Sequence, residues 1–186
     1  MVANKFKLFK CLKADLSRLH FLLNGEVKTS FTLMMWLGAF SPRFIPVILC
    51  RLAYFFYCHG FGLIAKLMSL LNFFFFGIEI GIRCEIGKGL FFPHTHGTVI
   101  GAWKIGENAT IYQGVTIGAR ELDFSYLKTS RPIIGNDVVI ATGAAILGAV
   151  HIGSRSRIGA NSVVLSSIPD DVLAVGAPAR VVKTLN

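Results

Sequence analysis

The stretch IIGNDVVIATGAAILGAVHIGSRSRIGANSVV, residues 133–164, places an aliphatic residue at every sixth position from Ile134 to Val164. The same period extends toward the N-terminus, with one extra residue after Phe92 and a longer insertion after Ile117. The positions that share it are Ile80, Ile86, Phe92, Val99, Ile105, Ile111, Ile117, Ile134, Ile140, Ile146, Ile152, Ile158 and Val164. Neither a helix nor an alternating strand has a period of six, so the pattern indicates a repeat architecture.

A six-residue period fits a triangular prism in which each hexad forms one short strand on one face. The aliphatic residue of each hexad points into the shaft and stacks on the residue one coil away, about eighteen positions along the chain. The corners need residues that tolerate unusual backbone angles, such as Gly135-Asn136-Asp137. The sequence therefore predicts a mainly β fold, a parallel β-helix, over residues 78–186.

The first 77 residues differ from the rest in composition and period. Apolar residues at helical spacing predict helices over 5–23, 29–40, 44–58 and 62–76, separated by Gly- and Pro-containing turns. This segment contains nine Lys and Arg residues and only two acids, Asp15 and Glu26. We therefore divide the chain into a helical, apolar and basic region at 1–77 and a β-helix domain at 78–186.

Basic charge beside apolar surface favours anionic lipid over nucleic acid as a partner, and no nucleic-acid motif accompanies it. Two compatible interpretations stay open for residues 1–77: a membrane-surface region, or an oligomerisation cap whose apolar faces bury each other. No uncharged apolar run is long enough to span a bilayer. The N-terminus lacks the continuous apolar core of a signal peptide. These features predict a cytoplasmic protein that is peripheral on the inner face of the membrane.

Two departures from the period mark candidate functional sites, because residues that interrupt a regular structural repeat are expected to serve a function and not the packing of the core. The first is the extra residue between Phe92 and Val99, in the stretch FPHTHG that carries His94 and His96. The second is the insertion at 119–133, which ends on Ser130-Arg131-Pro132. A long excursion from a tight coil is typical of an active-site loop.

From residue 78 onward the chain resembles the hexapeptide-repeat acyltransferases, whose left-handed coiling is an exception to the usual crossover rule. Its active coil is similar to that of the serine acetyltransferase branch and the related polysaccharide acetyltransferases. That branch has an acid, then Ile-Gly-x-Gly, then a histidine, and Glu79, Ile86-Gly87-Lys88-Gly89 and His94 follow the same order. The resemblance implies acetyl-CoA as co-substrate, a homotrimer and no metal, with a dimer of trimers as a further possibility.

The resemblance also implies that His94 is the general base and that Glu79, fifteen residues earlier, orients it. An alcohol is a poor nucleophile at neutral pH, and an imidazole can accept its proton as the oxygen attacks the thioester carbonyl. A carboxylate on the other ring nitrogen fixes the tautomer. His96 is a candidate for acceptor binding or for capping the turn.

Coenzyme contacts follow from the resemblance in the same way. The pantetheine arm is expected between neighbouring prisms, at small residues that allow close backbone approach. The C-terminal stretch GAPAR, residues 176–180, resembles the ending of the family and makes two cations candidates for the coenzyme phosphates. The predicted coenzyme-binding residues are Gly118, Ala119, Thr142, Ala160, Arg180 and Lys183.

The acceptor is predicted from departures from the serine enzymes. These have an acid before the histidine, where this chain has Pro93, and Arg-His before the proline that ends the loop, where this chain has Ser130-Arg131. The apolar basic helical region instead resembles the O-acetyltransferases of capsule, colanic acid and other exopolysaccharides, whose substrates can be lipid-linked sugars. This resemblance favours a saccharide hydroxyl, free or lipid-linked, in capsule or exopolysaccharide biosynthesis. Serine is the alternative, since Arg131 could grip its carboxylate. A γ-class carbonic anhydrase-like metalloenzyme and a non-catalytic scaffold stay open as further alternatives.

Overall fold

The computed structural model of the chain describes residues 7–25 and 38–185. Within these residues three α-helices precede the strands: α1 Leu8–Asn24, α2 Ile45–Cys58 and α3 Gly62–Phe76. Helices α1 and α3 each end at a glycine with a left-handed backbone, Gly25 at φ 71° and Gly77 at φ 60°. The helix predicted over 29–40 lies outside the described residues except for a 3₁₀ turn at Gly38–Phe40.

Fourteen short strands follow, in three sheets that the chain visits in rotation. Apart from the final antiparallel pair of β13 with β14, every strand pairing is parallel. We call the three sheets A, B and C. Sheet A contains β1 (Ile78–Ile80), β3 (Thr98–Ile100), β6 (Thr116–Gly118), β9 (Ala145–Leu147) and β12 (Val163–Val164). Sheet B contains β2 (Glu85–Ile86), β4 (Lys104–Ile105), β7 (Ile133–Ile134) and β10 (His151–Ile152). Sheet C contains β5 (Thr110–Ile111), β8 (Val139–Ile140), β11 (Arg157–Ile158), β13 (Val172–Gly176) and β14 (Ala179–Thr184).

The shaft is filled by one apolar ladder per sheet. On sheet A the ladder runs through Ile80, Ile100, Ile117, Ile146 and Val164, all buried and paired in register. Isoleucine suits this role because its branched side chain packs well on a pleated surface. Burying each such side chain stabilises the fold by about 1.5–3 kcal/mol. The predicted period of six is therefore the period of the core.

The predicted register is wrong at one position. The sequence pattern points Val99 into the shaft, whereas its side chain is 40% exposed and Thr98 and Ile100 on either side are each only 1% exposed. The turn before β3 is longer than predicted, and the turn after β3 is correspondingly shorter, so the period recovers at Ile105. The alternation of a strand then places Val99 on the outer surface.

The three helices cover the N-terminal end of the shaft. Leu16, Leu19, Phe44 and Val47 belong to the same buried apolar cluster as the isoleucines of the coils. Because the two regions share one core, the division of the chain at residue 77 into separate domains stays a prediction.

A buried polar network fastens the helices to the first coil. The Asp15 carboxylate of α1 accepts two hydrogen bonds from Arg51 of α2, at 2.9 and 3.0 Å. One of its oxygens also accepts from the backbone N–H groups of Gly89 and Leu90, at 2.6 and 2.9 Å. The Arg51 guanidinium donates to the carbonyls of Ile86 and Gly87. A charge pair this deeply buried is tolerated because backbone groups satisfy the remaining donors and acceptors.

Candidate active site

His94 lies on the corner of the prism where the chain passes from sheet C to sheet A. Phe91 pairs with Thr110, nineteen residues later, whereas Val99 pairs with Thr116, seventeen residues later. The coil that carries His94 therefore has two more residues on this stretch than the next coil. This two-residue bulge turns the His94 side chain outward, where it is exposed to solvent.

The bulge is held in place from both sides. Thr95 and Thr98 are buried, and the Thr98 hydroxyl donates to the carbonyl of Tyr112 at 3.3 Å. Arg43, just before α2, donates from Nε to the carbonyl of Pro93 at 3.3 Å. The chain leaves the bulge at Gly97, whose N–H donates to the carbonyl of Gly77 at 2.9 Å. The helical region thus contacts the histidine segment directly.

His96 packs against the end of α3. A Cβ added at Gly77 would lie 3.1 Å from Cδ2 of His96. Gly77 has a positive φ in addition, so both the helix end and the approach of His96 require glycine at this position. His96 is nevertheless exposed, like His94, so both imidazoles face the exterior of the chain.

Glu79 is exposed on the outer surface of β1, beside Val99 of β3. It lies two residues from Gly77, and so at the same end of sheet A as the histidine segment. Among the residues that the structure describes, neither the Glu79 carboxylate nor the His94 imidazole has a hydrogen bond. The structure brings the two to one end of the prism but does not join them, and the pairing stays a prediction.

The other predicted site residues divide between two corners of the prism. Thr142 and Ala160 lie where the chain passes from sheet C to sheet A, the same corner as His94, two and three coils further on. Gly118 and Ala119 lie at the opposite edge of sheet A, where the insertion leaves for sheet B. A single chain therefore separates the two sets by the width of one face.

The insertion at 119–132 folds back onto the prism as an ordered loop, and Ile133 belongs to β7. Its centre is an ion pair between Arg131 Nε and Asp123 Oδ2 at 2.8 Å, with both side chains largely buried. Arg131 also donates to the carbonyls of Gly101 and Asp123, at 2.7 and 2.8 Å. The guanidinium stacks on the ring of Tyr126 at 3.8 Å. Arg131 thus anchors the loop in this structure, and its predicted contact with an acceptor stays a prediction.

Asp123 is the second half of this anchor. Loss of hydration alone would raise the pKa of Asp123, but hydrogen bonds from Leu127 N–H, the Ser130 hydroxyl and Arg131 outweigh it and hold the pKa below its ordinary value. A lowered pKa means that folding of the loop favours the charged carboxylate. The anchor is therefore complete at neutral pH and is lost as the pH falls through the lowered pKa.

We expect Asp123→Asn to loosen this predicted active-site loop and to lower kcat/KM for the predicted acetyl transfer by about tenfold or more, because a displaced loop would misplace the reacting groups. Limited proteolysis of the loop should become faster than in the unmodified chain at neutral pH. In strongly acidic buffer the two proteins should be cut at similar rates. Glu107→Gln, which removes an exposed carboxylate paired with Lys88, serves as the matched control. Equal cleavage of Asp123→Asn and the unmodified chain at neutral pH would exclude this role.

A cavity of about 310 Å³ opens beside the loop and the edge at Gly118. It is lined by Arg120, Glu121, Ser130, Gly148, Ala149, Val150 and Leu165. The predicted Ala119 precedes the first of these residues, and a Cβ placed at Gly118 would meet no atom within 4 Å. The space therefore admits a ligand against the backbone. Arg180 and Lys183 are exposed on β14, as required of groups that would bind phosphate.

Gln113 is a candidate site residue that the sequence pattern did not reveal. It lies in the coil next to the bulge, where Gly114 N–H donates to the His96 carbonyl at 3.1 Å. Its side-chain oxygen is buried and has no hydrogen-bond partner among the described residues. A buried acceptor without a partner is costly, so a bound donor would stabilise it. The sequence signal that could have identified Gln113 was its position one coil after the histidine segment, seventeen residues after His96.

Two further observations concern metals and membranes. Within residues 7–25 and 38–185 the structure shows no group of three or more His, Cys, Asp and Glu side chains placed to hold a metal ion. In the same part of the chain, no helix combines the length and the apolar character needed to cross a bilayer.

Comparison with known proteins gives a consistent result. The family model described as bacterial transferase hexapeptide (six repeats) matches residues 131–166. Serine acetyltransferase of Helicobacter pylori strain J99 is 44% identical over 140 residues, 74% of this chain and 80% of that protein. Serine acetyltransferase of Bacillus subtilis strain 168 is 44% identical over 134 residues, 71% of this chain and 60% of that protein. The crystal structure of serine acetyltransferase from Brucella abortus strain S19 in complex with coenzyme A superposes with a TM-score of 0.81 at 27% identity, covering 96% of this chain and 68% of that one.

These comparisons confirm the predicted left-handed parallel β-helix. They contradict the predicted acceptor. A saccharide hydroxyl in capsule or exopolysaccharide biosynthesis was favoured because Pro93 and Ser130-Arg131 depart from the serine enzymes, yet the named relatives are serine acetyltransferases. The prediction rested on differences at a few positions, whereas the Helicobacter pylori relative is 44% identical over 140 residues, and the alternative acceptor, serine, is the better supported.

Proposed function

Because this chain belongs to the serine acetyltransferase branch of the hexapeptide-repeat acyltransferases, we propose that it transfers the acetyl group of acetyl-CoA to the hydroxyl of serine. The observation that carries the proposal is the 44% identity to a serine acetyltransferase of which the chain covers 80%. That shared length includes the coil with the exposed histidine at a bulge in the repeat. The resemblance to a coenzyme A complex supports the donor.

In the proposed reaction, the His94 imidazole takes the proton of the serine hydroxyl as the oxygen attacks the thioester carbonyl. The tetrahedral intermediate then collapses, the C–S bond breaks, and the imidazolium returns the proton to the departing thiolate of coenzyme A. The exposure of His94 supports this role, since its ring nitrogens can reach ligands. Glu79, at the same end of sheet A, would rotate to bond the second ring nitrogen and stabilise the imidazolium.

We also propose that the site is completed in a homotrimer. His94, Thr142 and Ala160 lie on one edge of sheet A, whereas Gly118, Ala119 and the loop lie on the other. Around a threefold axis, one edge of each prism faces the other edge of its neighbour, which would bring the two sets together. The exposed side chains of Leu122 and Phe124 on the loop, 88% and 90% exposed, support this arrangement because a neighbouring prism would cover them.

The acceptor's ammonium group needs a partner, since Pro93 stands where the serine enzymes have an acid. Gln113 offers a buried carbonyl oxygen beside the histidine segment. We propose that the Gln113 side chain, which is only partly buried, turns toward the ligand when serine binds, so that this oxygen accepts a hydrogen bond from the serine ammonium. This hydrogen bond would also satisfy the Gln113 oxygen, so the ammonium and the amide oxygen would both contribute to the free energy of binding.

Release of free thiol from acetyl-CoA tests the proposed function. We expect L-serine to stimulate thiol release by the full chain, with one O-acetylserine formed per thiol in the mass spectrum. L-Alanine, which lacks only the hydroxyl, is the matched control and should give the rate without acceptor. Nucleotide- and lipid-linked sugars are tested alongside. Stimulation by a sugar and none by serine would overturn the proposal.

A further inference from the structure

Helix α3 presents a continuous apolar face to the exterior. Leu63, Leu67, Leu70 and Phe74 follow one another at spacings of four, three and four residues, which places them on one side of a helix. Their side chains are between 48% and 85% exposed. Phe73 and Phe75 flank Phe74 and are 52% and 72% exposed. Exposed apolar patches of this size mark interaction surfaces.

The exposed charges of the described helical region all have one sign. In the described parts of the helical region, residues 7–25 and 38–77, the exposed charged side chains are all cations: Lys7, Lys10, Lys13, Arg43 and Lys66. The acid described there is Asp15, which is buried and paired with Arg51. Lys66 lies on α3 itself, at the flank of the apolar face. The surface therefore combines apolar area with positive charge.

We propose that the apolar face of α3 lies on the surface of an anionic lipid bilayer, with Lys66 at its flank facing the lipid headgroups. An amphipathic helix binds such a surface through buried apolar area together with attraction to anionic lipid. A contact between two copies through this face would bring the Lys66 side chains of both copies to one interface, whereas anionic headgroups would neutralise them. The helix lies along the bilayer surface, since it is too short to span it.

This placement sets the candidate active site near the membrane. A cavity of about 460 Å³ lies between α3 and the first strand, and both Lys66 and Glu79 line it. Helix α3 ends at Gly77, on which His96 packs. The bilayer would therefore cover one wall of the region through which ligands approach the histidine segment.

Flotation of the full chain with lipid vesicles tests the proposal. We compare vesicles of phosphatidylcholine alone with vesicles in which part of the phosphatidylcholine is replaced by phosphatidylglycerol. The protein should float with the anionic vesicles, and high salt should release part of it. Leu63→Ser/Leu67→Ser/Phe74→Ser should reduce binding by about tenfold or more, since each removed side chain loses buried apolar area. Lys66→Glu should also reduce binding to the anionic vesicles, because it reverses the charge at the flank of the face.

The matched control is Val181→Ser/Val182→Ser, which removes exposed apolar side chains from β14, outside the helical region. It should float like the unmodified chain. Equal binding to neutral and anionic vesicles would overturn the electrostatic part of the proposal. No flotation, together with a larger assembly in solution that the serine variant reduces, would show that the face is a contact between copies and would overturn the proposal as a whole.

Discussion

Replacing His94 with alanine should lower kcat for the proposed serine acetylation by at least about a hundredfold, the scale expected for loss of a general base. The side chain is exposed at the bulge and has no hydrogen bond within the described residues, so its removal leaves no buried group without a partner. The buried neighbours Thr95 and Thr98 keep the backbone of the segment in place. Stability and acetyl-CoA affinity should therefore change little, which separates a catalytic role from a structural one.

The measurement is steady-state thiol release, with acetyl-CoA affinity from calorimetry and stability from thermal unfolding. His151→Ala is the matched control, because His151 is also exposed but lies on β10 of sheet B. It should retain full activity. A His94→Ala variant with the turnover of the unmodified chain would exclude the proposed base.

Breaking the Asp15–Arg51 pair should lower the free energy of unfolding by about 3–5 kcal/mol, the range found when one partner of a buried charge pair is removed. The Asp15 side chain is fully buried and that of Arg51 is 2% exposed. Burial alone would lower the pKa of Arg51, yet the hydrogen bond and charge of Asp15 raise it above its ordinary value. In Asp15→Ala the guanidinium would stay buried without its carboxylate, and Gly89 and Leu90 would lose the acceptor of their N–H groups.

Urea unfolding of Asp15→Ala and Arg51→Met measures the loss. Glu85→Gln is the matched control, since it weakens an ion pair with Lys104 in which both side chains are about half exposed. Exposed ion pairs contribute little to the free energy of unfolding, so this variant should unfold at nearly the same urea concentration as the unmodified chain. If Asp15→Ala unfolds at the same urea concentration as the unmodified chain, the network does not fasten the helices to the coils.

The repeat could be read from the sequence because each inward position carries the same kind of residue. Ile134, Ile140 and Ile146 follow the period without interruption, and the structure places each in the shaft. The predicted register was wrong at Val99, because the turn before β3 is two residues longer than the six-residue period requires and the turn after β3 is one residue shorter. Both Val99 and Ile100 are aliphatic, so the sequence could not tell which of them faces inward.

Contacts between distant segments were harder to predict than the repeat. The buried role of Asp15 was not predicted, because its partners Arg51, Gly89 and Leu90 are remote in sequence. Arg131 was assigned to the acceptor for the same reason, since its bonds to Asp123 and Gly101 depend on how the loop folds. The sequence located the irregular corner at His94 but not the buried oxygen of Gln113 in the adjacent coil.

The central claim is that the imidazole of His94 removes the proton of the acceptor hydroxyl. The pH dependence of kcat/KM for serine tests it most directly, because protonation of the base abolishes catalysis. The account predicts that the rate of the unmodified chain falls with unit slope toward acidic pH, and that the residual activity of His94→Ala lacks this acidic limb. A residual activity with the same acidic limb would contradict the account, since another group would then be accepting the proton.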